Sequence, residues 1–391
     1  MPPTARPEHL RTEDARWRGA LAVLGEMRRT PGVTRAAVAQ RLGLSSGSAT
    51  DITARLRDLE LLAETPAPAT GRGRPTTVLT PHPNGPLVAV VDLRLEDWRC
   101  AVAALDGAPR IVAADVHASR APADVVGAVA EGVRGVLDRY GDRVRAVGAA
   151  VTATVQHGEV VQASTLGWDA VDLGVLARDL PLVIGNDATL EGVAEARGGA
   201  AAGAATALHV TIEGGLGGSL VVAGRPVDGA TGAGGEFGHL PFGDPGLRCP
   251  CGATGCWELN VDGRAIARRL GDPEPADPRT YLLTALSSPD TGVRAAVARA
   301  AADFGRGLAG LVNALDPDVV TLGGLAWPLR TAAGAEFDSA FTGGLMRFRR
   351  AAPPKVLAAA RGDDGALHGA AAVALDLFLT GTGLTAWAER H

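Results

Sequence analysis

The chain has 391 residues, 46% of them hydrophobic and 21% charged, with a formal net charge of −5. That composition excludes wholesale disorder, and the length asks for two or three domains. The N-terminus is polar and no apolar run approaches the roughly 18 residues of a membrane span, so the expectation is a cytoplasmic protein without signal peptide or membrane segment.

Charge is distributed unevenly. Residues 1–86 carry 12 arginines against 8 carboxylates, while the remainder is acidic. A basic head on an acidic body suits a nucleic-acid-binding module joined to a small-molecule domain. From Ala15 to Arg29, Trp17, Ala20, Leu21, Leu24 and Met27 recur at helical spacing. A second helix is predicted from the Thr34 N-cap, with Val38 and Leu42 inward, and Gly43 turns the chain. Ser45 caps a third helix with Ala49, Ile52, Leu56 and Leu59 on one stripe. This is the helix-turn-helix pattern.

The small and polar residues Ser45, Ser46, Gly47, Ser48, Thr50, Asp51 and Arg55 are the candidates for contact with a major groove. Strand-like segments Leu61–Thr65 and Thr76–Thr80 flank Gly71-Arg72-Gly73-Arg74-Pro75, a wing in which Arg72 and Arg74 suit a narrow minor groove. Residues 1–80 are therefore expected to be a winged helix-turn-helix domain, followed by a hinge over 81–86.

Beyond the hinge, Leu87–Asp92, Arg99–Leu105 and Arg110–Val116 alternate as antiparallel strands, followed by a helix over Ala123–Arg139 and a strand over Ala146–Thr152. A weaker echo comes later: strands Ala207–Ile212 and Ser219–Ala223, helix Val293–Leu315 and strand Val319–Gly323. Two such copies facing across a cleft describe an α/β, actin-like or ribonuclease-H-like architecture. The first lobe is set at 87–185, completed by a C-terminal helix at about 365–391, and the second at 186–364.

Two segments carry the chemistry. Ile184-Gly185-Asn186-Asp187 brings polar side chains to the end of an apolar strand, where open α/β sheets bind ligands. Glu236-Phe237-Gly238-His239, then Cys249, Cys251, Cys256 and Glu258, joins one imidazole to three thiols. Such a set closes a tetrahedron around zinc with no open position, so the metal is expected to be structural, one Zn2+ per chain, held by His239, Cys249, Cys251 and Cys256. Glu236, Glu258, Asn186 and Asp187 surround it with acceptors suited to a polyhydroxylated, uncharged ligand such as a sugar. Cys100 is expected to be a buried strand residue with no role.

These residues resemble the signature of the ROK family of repressors and sugar kinases, and the winged head is similar to its repressor branch. The resemblance implies a sugar-kinase-like fold in which Asn186, Asp187, Glu236, His239 and Glu258 contact a sugar, with Asp187 at the place of the kinases' catalytic base. The chain departs from the kinase pattern at both phosphate loops. Asp92-Leu93-Arg94-Leu95-Glu96 lacks the glycine of the first, and Glu213 sets a carboxylate into the second. The family's Pro-Gly turn after the Val147–Val151 strand reads Thr152-Ala153-Thr154 here, which bears on sugar preference.

The resulting expectation is a sugar-responsive repressor, not an enzyme, with Asp187 vestigial and ATP not a ligand. Its partners are operator DNA, a sugar or sugar derivative and a second or further copies of itself, as a homodimer or homotetramer at the bacterial nucleoid. Two alternatives stay open: an active glucokinase-like enzyme with a DNA-binding head, and a regulator whose sugar pocket is vestigial.

Overall fold

A computed structural model describes residues 8–67 and 77–391. Helix α1 (Glu8–Arg29) starts earlier than the periodicity predicts, and buries Trp17, Val23, Leu24 and Met27. Helix α2 (Arg35–Leu42) is capped by Thr34, whose hydroxyl accepts the Ala37 N–H, and Gly43 ends it in the left-handed conformation that favours glycine. Helix α3 (Ser46–Asp58) begins at the Ser45 cap and buries Ala49, Thr53 and Leu56. Strands β1 (Leu62–Pro66) and β2 (Thr77–Pro81) pair antiparallel, each one residue later than the sequence places it. The wing tip between them, including Arg72 and Arg74, lies outside the described residues.

The body holds two five-stranded sheets of one plan. The first contains β3 (Leu87–Leu93), β4 (Asp97–Ala103), β5 (Pro109–Val116), then helix α4 (Pro122–Tyr140) and β6 (Val144–Val151). A small hairpin, β7 (Thr154–Gln156) with β8 (Glu159–Gln162), precedes its last strand β9 (Leu182–Asn186). Helix α5 (Asp187–Gly198) then leads into β10 (Thr206–Ile212), β11 (Leu216–Val222) and β12 (Arg225–Pro226). Helices α6 (Gly263–Leu270), α7 (Pro278–Leu286) and α8 (Thr291–Leu315) follow, then β13 (Val319–Gly324). After α9 (Ala326–Ala332), α10 (Gly334–Gly344) and α11 (Arg347–Ala351) comes β14 (Lys355–Ala358).

The strand orders are β5-β4-β3-β6-β9 and β12-β11-β10-β13-β14, and in each the first three strands are antiparallel and the last two parallel. The duplication is thus explicit in the topology. The weak echo in sequence has a simple cause: the third strand of the second copy, β12, is two residues long. Cys100 pairs with Val91 in the first sheet, buried against α4, and burial pushes its thiol up to about 12.

The C-terminus closes the molecule with α12 (Gly365–Phe378) and α13 (Gly381–Ala388). Helix α12 packs on the first sheet, whereas α13 packs against α1 of the head. Trp17 Nε1 donates to Thr385 Oγ1 at 2.9 Å, and Trp387 Nε1 to the Leu59 carbonyl at 2.7 Å. One apolar core therefore runs from Trp17, Leu24 and Leu61 of the head into Leu375, Phe378, Leu384 and Trp387. Among the described residues no single helix is long and apolar enough to cross a membrane.

Candidate functional site

Strand β9 ends and α5 begins at the mouth between the lobes, which fixes Asn186 and Asp187 there. Asn186 is the N-cap of α5: its Oδ1 accepts the Thr189 N–H at 3.0 Å, and its Nδ2 donates to the Ala153 carbonyl at 3.1 Å. Cap and cleft residue are the same side chain. Asp187 Oδ1 accepts its neighbour Ala188's N–H at 2.8 Å, and Oδ2 accepts the Thr152 hydroxyl at 2.6 Å. Burial pushes its carboxyl up to about 7, although the Thr152 hydrogen bond works against the shift. The sequence marks the altered turn at Thr152 but not this bond, which ties the turn to Asp187.

All five sugar candidates converge. Asn186, Asp187, Glu236, His239 and Glu258 line one cavity of about 110 Å³ between the lobes. Thr152, Thr154, Ser164 and Thr165 bring hydroxyls to the same wall, a contribution that only a folded chain discloses. Glu236 stays partly open to solvent, while Glu258 is buried beneath the cavity. Glu258 accepts the Leu216 N–H at 3.4 Å and lies 3.4 Å from Arg264, which also pairs with the buried Asp262 at 2.6 Å. Sequence reasoning passes over Arg264 because an arginine early in a helix reads as a solvated residue.

The cavity floor continues into a thiol-rich knot. His239 Nδ1 faces Cys249 Sγ at 3.7 Å, and Cys251 and Cys256 sulfurs are 3.7 Å apart. The four donor atoms of His239, Cys249, Cys251 and Cys256 all lie within 4.8 Å of one another. Gly252 and Gly255 adopt positive φ of 98° and 73°, letting the short loop return its sulfurs to one point. Cys249 Sγ lies 3.1 Å from Glu258 Oε1, and burial together with that carboxylate pushes the thiol up strongly. One imidazole and three thiols at these separations fit a tetrahedral cation. With Nδ1 turned to the knot, His239 Nε2 faces Glu236 at 3.8 Å, on the cavity side.

Where the sequence departs from the kinase pattern, the protein's charges pair with one another, and one of them, Glu213, lines the same cavity. Arg99 donates to Asp92 Oδ2 through Nε at 3.2 Å and Nη2 at 2.6 Å, and reaches Asp364 at 2.7 Å. Arg94 grips Asp97 in two bonds of 2.6 Å. From the second lobe, Glu213 pairs with Arg279, a partner invisible in sequence because 66 residues separate them. Glu96 turns outward to Arg120 at 2.6 Å, so the buried acid of this segment is Asp92 instead.

On the head, Ser45, Ser46, Gly47, Ser48, Thr50, Asp51 and Arg55 are all exposed. Ser45 Oγ accepts the Ser48 N–H as the helix cap, and Thr50 Oγ1 donates to the Ser46 carbonyl. The exposed Arg55 has its guanidinium 4.0 Å over the Trp17 ring, toward α1. Arg57, absent from the sequence-based candidates, is an exposed cation on the other flank of α3.

Residues 92–377 match the model of the ROK family. A solved ROK family transcriptional regulator, a homolog of the E. coli Mlc protein, shares the fold across 95% of this chain and 98% of its own, with TM-score 0.73 and 22% identity. Glucokinase of Streptomyces coelicolor is 33% identical over 226 residues, covering 52% of this chain and 71% of that protein. The xylose repressor of Bacillus subtilis is 26% identical over 167 residues, 43% of this chain and 44% of the repressor.

Proposed function

The chain belongs to the ROK family, and within that family we propose that it is a DNA-binding transcriptional regulator whose cleft senses a sugar without phosphorylating it. What supports this reading is a head with an exposed small-residue helix α3, joined to a body in which the acids that depart from the kinase pattern are paired internally, Asp92 with Arg99 and Glu213 with Arg279. Phosphoryl transfer depends on cradling and neutralising a triphosphate, and Asp187 by itself supplies neither. The names of the similar proteins support both a repressor and a kinase ancestry.

In this reading Asp187, Glu236 and Glu258 accept hydrogen bonds from sugar hydroxyls, His239 Nε2 faces the same cavity, and Asn186 holds the start of α5 in place. The knot of His239, Cys249, Cys251 and Cys256 would hold a structural zinc, which supplies cross-linking and no chemistry. A metal ligand on Nδ1 fixes the tautomer that leaves Nε2–H as a donor. Ser46, Gly47 and Thr50 enter a major groove, and a dimer in the cytoplasm places two α3 helices on half-sites about one helical turn apart.

A second reading, an active sugar kinase with a DNA-binding head, is favoured by the position of Asp187 in the cavity. Duplexes selected from a random pool, followed by fluorescence anisotropy, test the first reading. Specific binding that Thr50→Glu weakens at least tenfold supports it. Absence of any selected sequence, with ADP release on adding glucose, replaces it with the second.

A further inference from the structure

Helix α5 has one end in the sugar cavity and the other at the head. Its first turn carries Asp187 beside the Asn186 cap, and at its far end Arg197 Nη1 donates to Asp376 Oδ2 at 2.6 Å. The second oxygen of Asp376 accepts from Arg28 of the head at 3.2 Å. Both guanidiniums also reach the Ala372 carbonyl, Arg28 at 3.1 Å and Arg197 at 3.4 Å. One carboxylate on α12 thus joins a helix of the ligand site to a helix of the DNA-binding domain.

The surroundings make α5 a stiff connection. Gly369 of α12 lies so close to the Leu190 carbonyl that a β-carbon there would meet it at 2.0 Å, so the two helices touch backbone to backbone. Glu191 bonds the buried His209 at 3.0 Å, and His209 in turn bonds Thr321, tying α5 to the second sheet as well. A shift of the lobes therefore moves α5 as one piece.

The head is attached in two unlike ways. One face of α1 buries Trp17, Leu24 and Met27, with Trp387 of α13, in the shared apolar core. Toward its C-terminal end, α1 also faces α5 and α12 across an open cavity of about 980 Å³, lined by Leu21, Gly25 and Arg28 on one side and Arg197, Ala372 and Asp376 on the other. Ion pairs span that gap. Burial and the nearby Arg197 both depress the Arg28 guanidinium, and Asp376 is the charge that opposes them. The first contact acts as a pivot and the second as a latch.

We propose that α5 is the lever between the sugar cavity and the head, and that Arg197–Asp376–Arg28 is the joint through which occupancy of the cavity sets the orientation of the winged domain. The inference rests on the reading of the cavity as a regulatory sugar site. Coupling between two sites requires an element that both bias, and the shared carboxylate is that element here.

A double-mutant cycle on the full chain tests the joint without knowledge of the effector. Hydrogen exchange of the α1 amides around Arg28 is measured in the wild type, Asp187→Asn, Asp376→Asn and the double variant. The joint requires that Asp187→Asn change α1 exchange at least threefold in the wild-type background and less than 1.5-fold once Asp376 is gone. Arg28→Gln, which breaks the latch from the head side, must silence the effect in the same way, which guards against misfolding of one variant. Equal changes in both backgrounds, or none in either, overturn the proposal. Calorimetry of the wild type with D-glucose and D-xylose judges the sugar reading separately, since absence of heat there leaves the outcome of the cycle untouched.

Discussion

The two lobes share one strand order, and the polar residues they bring to the cleft between them are used in opposite ways. Five sugar candidates from β9, α5 and the surroundings of the thiol knot converge on one cavity, and hydroxyls of Thr152, Thr154, Ser164 and Thr165 complete its wall. Where the sequence departs from the kinase pattern, arginines and carboxylates of both lobes neutralise each other: Arg99 with Asp92 and Asp364, Arg279 with Glu213, the last of these lining the same cavity. A binding site keeps its polar groups available to a ligand, whereas a relinquished site satisfies them internally. On the proposed reading, a nucleotide site is lost here without loss of polar residues.

The sugar cavity should suffer most when the knot that supports it is undone. Cys251→Ser should lower zinc from about one per chain to none, by elemental analysis. Structural zinc sites are worth about 10 kcal/mol or more, so the melting transition should fall sharply or be lost. If the variant keeps both its metal content and its melting temperature, the knot is not what organises the cavity.

Next is Glu258→Ala. It removes an acceptor buried between Cys249, Arg264 and Leu216, at a cost of about 2–3 kcal/mol in stability. Sugar affinity should drop at least tenfold by calorimetry, more than for Glu236→Ala, whose side chain is partly open to solvent. Equal losses from the two would mean that burial does not rank the acceptors.

Asp187 gives the comparison a pH axis. Its carboxyl is pushed up to about 7, above the unfolded range, so its favourable contribution is complete below about pH 4 and is lost as pH rises through 7. Asp187→Asn mimics the protonated form. It should melt higher than the wild type at pH 8, by about 2 kcal/mol after discounting for contact with solvent, and the gap should close by pH 5. A gap independent of pH contradicts the assigned burial.

The internally paired charges should respond least. Glu213→Ala with Arg279→Ala removes a half-exposed pair and should cost less than about 1 kcal/mol. Binding of a non-hydrolysable ATP analogue should improve measurably in this variant while turnover stays at background. Wild-type affinity already equal to that of the variant would show that the pair does not obstruct the cleft.

Much of the molecule is legible before folding, for reasons tied to spacing. Thr34, Gly43 and Ser45 announce the head because caps and left-handed turns are local requirements, and the structure uses all three as expected. The four knot ligands lie within 18 residues, close enough for chemistry to be read from type and interval alone. What sequence cannot supply is any contact made across long separations. Thr152 to Asp187, Glu213 to Arg279 and Arg197 to Asp376 each join residues from different elements, and an isolated arginine carries no mark of its partner. Arg55 adds another such contact, its guanidinium lying over the indole of Trp17 from α1, 38 residues away in sequence. The second α/β copy is faint because β12 spans only Arg225 and Pro226.

Sensing and phosphorylation are separated by a single titration with two readouts: glucose, xylose and other sugars added to the protein on a selected duplex with ATP present, following anisotropy and ADP together. For a regulator that senses without phosphorylating, at least one sugar should change duplex affinity about fivefold or more, with ADP at the level of a protein-free control. Sugar-dependent ADP release that disappears in Asp187→Asn, with duplex affinity unmoved by every sugar, would contradict it.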